Sequence, residues 1–172
     1  MSAGAALVTP AWVRMMAGYN AEMNRRLYRA AGCLDDAARK RERGAFFGSI
    51  HATLNHLLWA DLTWMSRIDG WPAAGKLRAG LSLFEGFDEL AAARGDADAR
   101  LLDWAGRLDP AWLGGELSWF SGAIQQQVTR RCDLIVSHIF NHQTHHRGQV
   151  HAMLTAAGAR TEDTDLWLID GG

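Results

Sequence analysis

The sequence predicts an all-α fold, a four-helix bundle with a long loop between its second and third helices and a small β-hairpin before the fourth helix. Apolar residues recur at three- and four-residue steps in four long segments. A stretch rich in glycine separates the second segment from the third, and short alternating runs precede the fourth. The 172 residues, 48% hydrophobic and 22% charged, suffice for one domain with a buried core, which we expect to span residues 1–172.

The first two helices follow from periodicity and capping. The first is predicted from residue 12 to about residue 38, because its apolar residues share one face. Gly44 and Gly48 then interrupt the pattern. Ser49 is of a type that caps helices, so we expect a second helix from this residue to about residues 69–70.

The second half of the chain contains the loop, two more helices and the hairpin. Residues 70–80 hold one proline and three glycines, which is typical of a connecting loop. The third helix is predicted to start within residues 82–86 and to run to about residue 108, with residues 95–96 as its weakest point and Asp109-Pro110 as its stop.

The hairpin and the fourth helix complete the predicted fold. Residues 117–120 and 124–128 alternate around Ser121-Gly122 and predict two short strands, which must pack on the helices because two strands alone are marginal. The fourth helix is predicted over residues 131–157, and Gly158 supplies its end.

Composition excludes several classes of protein. No run reaches the ~18 apolar residues of a membrane span, and residues 1–10 lack the features of a secretory signal, so we expect a cytoplasmic protein that does not enter the membrane. A net charge of −1 argues against nucleic acid as a partner. Cys33 and Cys132 form no CxxC pair and are expected to stay reduced.

The histidines carry the strongest functional signal. Five of the seven lie within residues 138–151, on one predicted helix. At about 100° per residue, His142 and His146 point about 40° apart and one turn along the axis, so both can reach one metal ion. His138 extends the same stripe by one turn. His145 and His151 point elsewhere and are expected at the surface or on a flank.

A zinc-like ion needs three or four ligands, so at least one must come from another segment. His56 lies in the middle of the second helix among apolar residues, where an unpaired imidazole is costly to bury. His51 falls in the first turn of that helix and is expected to be exposed or capping. Ordinary core or surface roles for these histidines remain open on spacing alone.

Other chemistries fit the pattern less well. Residues 142–146 have the ligand spacing of the HExxH zinc-protease helix, but Gln143 stands where a carboxylate base is needed. A di-iron bundle would need Glu-x-x-His pairs, and the sequence has none. Cys132 precedes His142 by ten residues, roughly 15 Å of helix, so it cannot share a metal with that histidine. It is expected to be a small buried apolar residue.

Three segments together resemble a known family. Residues 138–150 read HIFNHQTHHRGQV, residues 53–61 read TLNHLLWAD, and Tyr19-Asn20 lies on the first helix. Over roughly residues 12–168 the chain resembles the DinB/YfiT-like superfamily. The HxxxHRGQ core is fairly specific when it is paired with the upstream NHLL element.

The resemblance implies a four-helix bundle, often a homodimer, that holds a divalent metal through His56, His142 and His146. Zinc or nickel is favoured, although three imidazoles also accept copper or iron. Relatives use a low-molecular-weight thiol such as bacillithiol or mycothiol, so the resemblance implies a metal-dependent transferase in which the thiol attacks a small-molecule electrophile, or a related hydrolase. The alternative is a stress-related metal- or ligand-binding bundle without turnover.

Each residue near the three histidines has two possible roles. His138 either orients a ligand or is a fourth ligand. Arg147 binds an anionic substrate or, as we expect, pairs with a carboxylate. Trp59, Trp64 and Trp119 line the pocket or, as bulky apolar residues more often do, belong to the core. Four polar side chains could orient an imidazole or substrate, or lie on the helix surface; they are Asn55, Asp61, Asn141 and Gln149.

Overall fold

The computed structural model describes residues 6–75 and 82–169, which fold mostly into helices with one small antiparallel sheet. The prediction of a largely helical chain is confirmed. The helices are α1 (Pro10–Gly32), α2 (Asp36–Lys40), α3 (Ile50–Ile68), α4 (Phe87–Gly106), α5 (Pro110–Leu113), α6 (Cys132–Ala156) and α7 (Leu166–Ile169), and the strands are β1 (Glu116–Ser121) and β2 (Gln126–Arg131).

The first helix is shorter than predicted. Helix α1 ends at Gly32, and residues 36–40 form the separate helix α2. The Asp35 carboxylate accepts a hydrogen bond of 2.7 Å from the Ala38 backbone N–H, so it caps a new helix. The expectation of one helix to residue 38 was wrong because the apolar period continues through a capping residue that restarts the helix.

The predicted start of the second helix is confirmed. The Ser49 hydroxyl accepts a hydrogen bond of 3.1 Å from the Ala52 N–H at the start of α3. At the other end, Gly70 has a φ of 65°, which glycine adopts without the steric cost that a side chain adds. Residues 71–75 of the predicted loop have no regular structure, and residues 76–80 lie outside the described residues.

Helix α4 continues unbroken through residues 95–96, the predicted weak point. The helix ends at Gly106, two residues before the predicted end, and the Asp109 carboxylate acts on the next helix instead. It accepts a hydrogen bond of 2.8 Å from the Ala111 N–H and caps the four-residue helix α5.

The predicted hairpin is confirmed, although its second strand begins two residues later than expected. Strands β1 and β2 pair antiparallel with Trp119 opposite Val128. The connection is longer than a two-residue turn, and Gln125 within it has a φ of 53°. The Cys132 N–H donates to the Gly115 carbonyl at 3.0 Å, which joins the base of the hairpin to the start of α6.

Helix α1 packs against α4 and α6, and α3 packs against α6 and α4.

A charged cluster lies among the apolar residues of the core. The Arg94 guanidinium donates to the Asp61 carboxylate at 2.6 Å and forms an ion pair of 2.8 Å with Asp98. Asn24 of α1 also donates to Asp98 at 3.0 Å. The cluster therefore links α1, α3 and α4 through polar contacts that are buried and mutually dependent.

The structure bears on the predictions for the two cysteines and for membrane spans. Cys132 is buried, as predicted, and Cys33 is exposed; both are free thiols. Within residues 6–75 and 82–169, no helix is long and apolar enough to cross a membrane.

Candidate metal centre

Helices α3 and α6 bring three histidine rings together. His56 projects from the middle of α3, and His142 and His146 lie one turn apart on α6. The Nε2 atoms of His56 and His142 are 3.1 Å apart, and each of the three residues offers a ring nitrogen within 4.8 Å of the others. The three residues predicted as ligands thus occupy one place in the fold.

The spacing of the ring nitrogens is suited to a shared cation. Two ligands on a tetrahedral zinc ion, each about 2.1 Å from it, lie roughly 3.4 Å apart. The 3.1 Å between His56 and His142 is close to this value. Since the ligand atoms of all three residues lie within 4.8 Å of one another, His146 would be within reach of the same ion.

All three imidazoles are held in their neutral form. Burial, with repulsion from His146, lowers the pKa of His56 to about 4. Burial and the neighbouring histidines lower the pKa of His142 to about 3. Burial also lowers the pKa of His146, against a hydrogen bond to Gln149 that raises it. At neutral pH the trio therefore presents lone pairs, which is the form that binds a metal.

Gln149 determines which ring nitrogen of His146 carries the proton. Its Oε1 lies 2.8 Å from His146 Nδ1, and because a carbonyl oxygen only accepts, Nδ1 carries the proton. The Nε2 atom is then left with its lone pair. Of the four polar residues considered from the sequence, Gln149 alone contacts the trio in the described part of the chain.

We expect Gln149→Leu to weaken metal binding about tenfold or more, because loss of the hydrogen-bond partner of a ligating histidine typically costs ~10 to 100-fold in affinity. Gln149→Glu keeps an acceptor and is expected to stay close to the wild type. Competition titrations with a chromogenic chelator measure both affinities. Equal weakening in the two variants would show that the acceptor has no role.

An aromatic wall lies on one side of the trio. The Phe47 ring stacks on the His56 ring with centroids 3.9 Å apart and lies 5.2 Å from His146. The Trp59 ring is 5.9 Å from that of His56. Sequence reasoning missed Phe47, because the loop has no periodicity; the local signals are Gly44 and Gly48, both with positive φ.

The sequence model of the DinB family matches residues 6–171. The chain belongs to the DinB family. No curated protein matches it in a sequence comparison.

One solved structure supports the fold of this DinB family protein. The crystal structure of a DinB-like protein from Bacillus cereus resembles it with a TM-score of 0.61 at 15% identity, covering 82% of this chain and 89% of the other. At that identity the likeness shows a shared fold alone.

Of the other three polar candidates of this DinB family protein, two have partners away from the trio and one is exposed. The Asn55 Oδ1 atom accepts hydrogen bonds from the backbone N–H groups of Leu83 and Phe84, at 2.8 and 2.9 Å. The Asp61 carboxylate belongs to the ion-pair cluster of the core. Asn141 is exposed. None of the three orients a ring of the trio.

The prediction for His51 was wrong. The side chain is buried, and its Nε2 lies 2.9 Å from the Phe84 carbonyl. The chain before α4 folds over the first turn of α3, a contact between distant residues that local sequence does not reveal. His138 is exposed, with its ring 5.7 Å from His142, and it is not among the described residues whose ring nitrogens meet. His145 is exposed as predicted.

The expectation of a carboxylate partner for Arg147 was also wrong. This side chain is buried and donates to the side-chain oxygens of Asn20, Gln143 and Thr144. No carboxylate of residues 6–75 and 82–169 forms an ion pair with it. Burial lowers the pKa of Arg147 to about 10, so the group remains charged at neutral pH.

The three tryptophans are half-buried, in contrast to the core positions that we expected. Trp64 packs edge-on against Trp119 at 5.3 Å and against His138 at 5.4 Å. Of the three, Trp59 alone has its ring near a member of the trio in the described part of the chain, 5.9 Å from that of His56.

We expect the metal-free protein to lose stability as the pH falls from about 6.5 towards 4. In the folded state the pKa values of His56 and His142 are about 4 and about 3, below the ordinary histidine value of 6.5. Below pH 6.5 the unfolded chain therefore binds more protons than the folded chain. Urea denaturation at pH 7 and pH 5 measures the change. The double variant His56→Gln/His142→Gln should show a flatter dependence, and an unchanged slope would contradict the assignment.

Proposed function

We propose that the protein binds a divalent transition metal, zinc or nickel, through His56, His142 and His146. We further propose that it is a transferase that activates a low-molecular-weight thiol for attack on a small-molecule electrophile, or a related hydrolase. The observation that supports this most is the convergence of three neutral imidazoles from two helices, two of them 3.1 Å apart. Membership of the DinB family agrees with it.

The donor set suits such an ion. Three neutral ligands would leave a bound divalent cation its full charge, which lowers the pKa of a thiol or water and polarises an electrophile. The chain's own groups supply the rest. Gln149 keeps His146 in the tautomer that presents Nε2, and the Phe47 ring excludes water from one face of His56.

His138 is the group that we propose takes up the thiol proton, since it is exposed and its ring lies 5.7 Å from His142. The S–H bond breaks and its proton goes to the imidazole. The sulfur lone pair then forms an S–C bond to the electrophile, and the leaving group departs with the electron pair of the bond that breaks.

One observation favours a second candidate, a stress-related metal- or ligand-binding protein without turnover. In the described part of the chain, the group of ring nitrogens that meets includes no Asp or Glu. A hydrolase that activates water usually places a carboxylate or histidine base within hydrogen-bond reach of it.

Assays of the metal-loaded full chain separate the two candidates. The protein is loaded with zinc or nickel and offered an electrophile with bacillithiol, mycothiol or N-acetylcysteine. Metal-dependent product formation that is lost in His142→Ala supports the enzyme. Metal-dependent binding of the thiol without product supports the binding protein, and failure to take up either metal contradicts the enzyme and any metal-binding role.

Three broader features belong to the same proposal. The four long helices would form a four-helix bundle, which is supported by the packing of α1 and α3 against both α4 and α6. The protein would act in the cytoplasm as a homodimer, as the family resemblance implies. Sedimentation velocity at micromolar concentration measures the oligomeric state.

A further inference from the structure

A cavity of about 280 Å³ lies between α1, α6 and the chain that follows α6. It is on the opposite side of α6 from the metal centre, because His151 in its wall lies about 180° around the helix from His142. The following segment crosses over it. The Tyr19 hydroxyl donates to the Thr164 carbonyl at 2.6 Å, and Arg26 donates to the Asp163 carbonyl at 2.9 Å.

One wall of the cavity carries an arginine whose hydrogen-bond partners are all neutral. Arg147 lines it, is 5% exposed, and donates to amide and hydroxyl oxygens. The buried carboxylates of Asp61 and Asp98 are paired with Arg94, so they act on Arg147 only from a distance. A buried guanidinium is normally paired with an anion in contact.

A second polar group in the wall is also incompletely used. His151 Nε2 lies 3.1 Å from the Thr161 hydroxyl, whereas its buried Nδ1 has no hydrogen-bond partner within the described residues. If the hydroxyl donates to Nε2, Nδ1 carries a proton and is a donor. With that tautomer, Arg147 and His151 offer donors from adjacent turns of α6.

The rest of the lining is largely apolar and electrically balanced. Met23, Leu27 and Ala152 contribute apolar surface. The remaining lining cation, Arg26, forms ion pairs with Glu22 and Glu162. Arg147 is therefore the one lining cation of the described cavity without an ion pair, which matches a ligand with a single negative charge.

We propose that this cavity binds a small organic acid, with its carboxylate at Arg147 and His151 and its apolar body against Met23 and Leu27. Carboxylate and guanidinium make the charge-assisted hydrogen bonds that the present neutral acceptors replace only in part. A volume of about 280 Å³ is near the lower end of the ~300 to 1,000 Å³ of ligand pockets, which limits the ligand to a small molecule. This site is independent of the proposed metal function.

Gly148→Leu tests the site without removing a buried charge. Gly148 lines the cavity, and a Cβ placed there meets no heavy atom within 4 Å, so a leucine at the cavity wall is accommodated without a clash at its Cβ. Leucine is also a better helix former than glycine. The matched control is Gly95→Leu, the same change at an exposed position within α4 where a Cβ is equally free.

Isothermal titration calorimetry of the full chain uses butyrate, hexanoate, octanoate, hexanamide and inorganic phosphate as probes. We expect saturable binding of hexanoate or octanoate, at least about tenfold tighter than hexanamide because the amide lacks the charge. Gly148→Leu should weaken it by about tenfold or more, whereas Gly95→Leu and His142→Gln should bind like the wild type.

Five results would overturn the proposal. Four are no saturable binding of any acid, equal affinity for hexanamide, equal affinity for phosphate, and unchanged binding by Gly148→Leu. The fifth is loss of binding in His142→Gln, which would place the acid at the histidines. Circular dichroism of each variant confirms that the helices are intact.

Discussion

Alanine at position 142 is expected to lower the affinity of the protein for zinc or nickel by more than about a hundredfold, because loss of a ligand exceeds the ~10 to 100-fold cost of losing a ligand's hydrogen-bond partner. His142 has its Nε2 3.1 Å from that of His56 and its ring 4.5 Å from that of His146. No other residue of the described chain places a nitrogen in the same position. Competition with a chromogenic chelator, performed with each metal separately, measures the affinity.

His145→Ala is the matched control for this change. His145 is on the same helix and its ring lies 4.8 Å from that of His146, but it is exposed and outside the trio. Its removal should leave the metal affinity within a few-fold of the wild type. If His142→Ala and His145→Ala bound metal equally well, the trio would not be the metal site.

Leucine in place of Arg94 is expected to destabilise the protein by about 3 to 5 kcal/mol, the usual cost of removing one member of a buried ion-pair cluster. The change leaves the carboxylates of Asp61 and Asp98 buried without their cation. Burial already raises the pKa of Asp98 to about 6. The free energy of unfolding, from urea denaturation at pH 7, measures the loss.

Two comparisons test the reason for this loss. Arg107→Leu removes an exposed arginine that pairs with Asp69 and Asp103 and should have a much smaller effect. The loss in Arg94→Leu should also shrink between pH 7 and pH 5, because protonation of the stranded carboxylates removes their charge. A loss that is independent of pH would indicate a packing defect.

The sequence predicted the parts of the site that depend on helix geometry. The apolar period located α3 and α6, and the four-residue spacing of His142 and His146 placed both on one face. His56 followed because a mid-helix imidazole among apolar residues needs a partner. These inferences require only the fixed rotation and rise of a helix.

The parts that depend on contacts between distant segments were not predictable. The buried His51 ring makes a hydrogen bond to the Phe84 carbonyl, 33 residues away. Arg147 contacts Asn20 across 127 residues. Phe47 belongs to a loop whose path is set by glycines with positive φ. No periodicity or short-range spacing specifies which of many polar groups meets such a side chain.

The buried ion pair between α3 and α4 also affects the register of the helices. A slide of α3 along its axis by one turn, about 5.4 Å, would separate Asp61 from Arg94 and leave the Asp61 carboxylate desolvated and without its cation. The same slide would carry His56 away from the level of His142. The penalty for misalignment at the ion pair therefore holds the histidine of α3 at the height where it meets those of α6, although no member of the pair touches an imidazole.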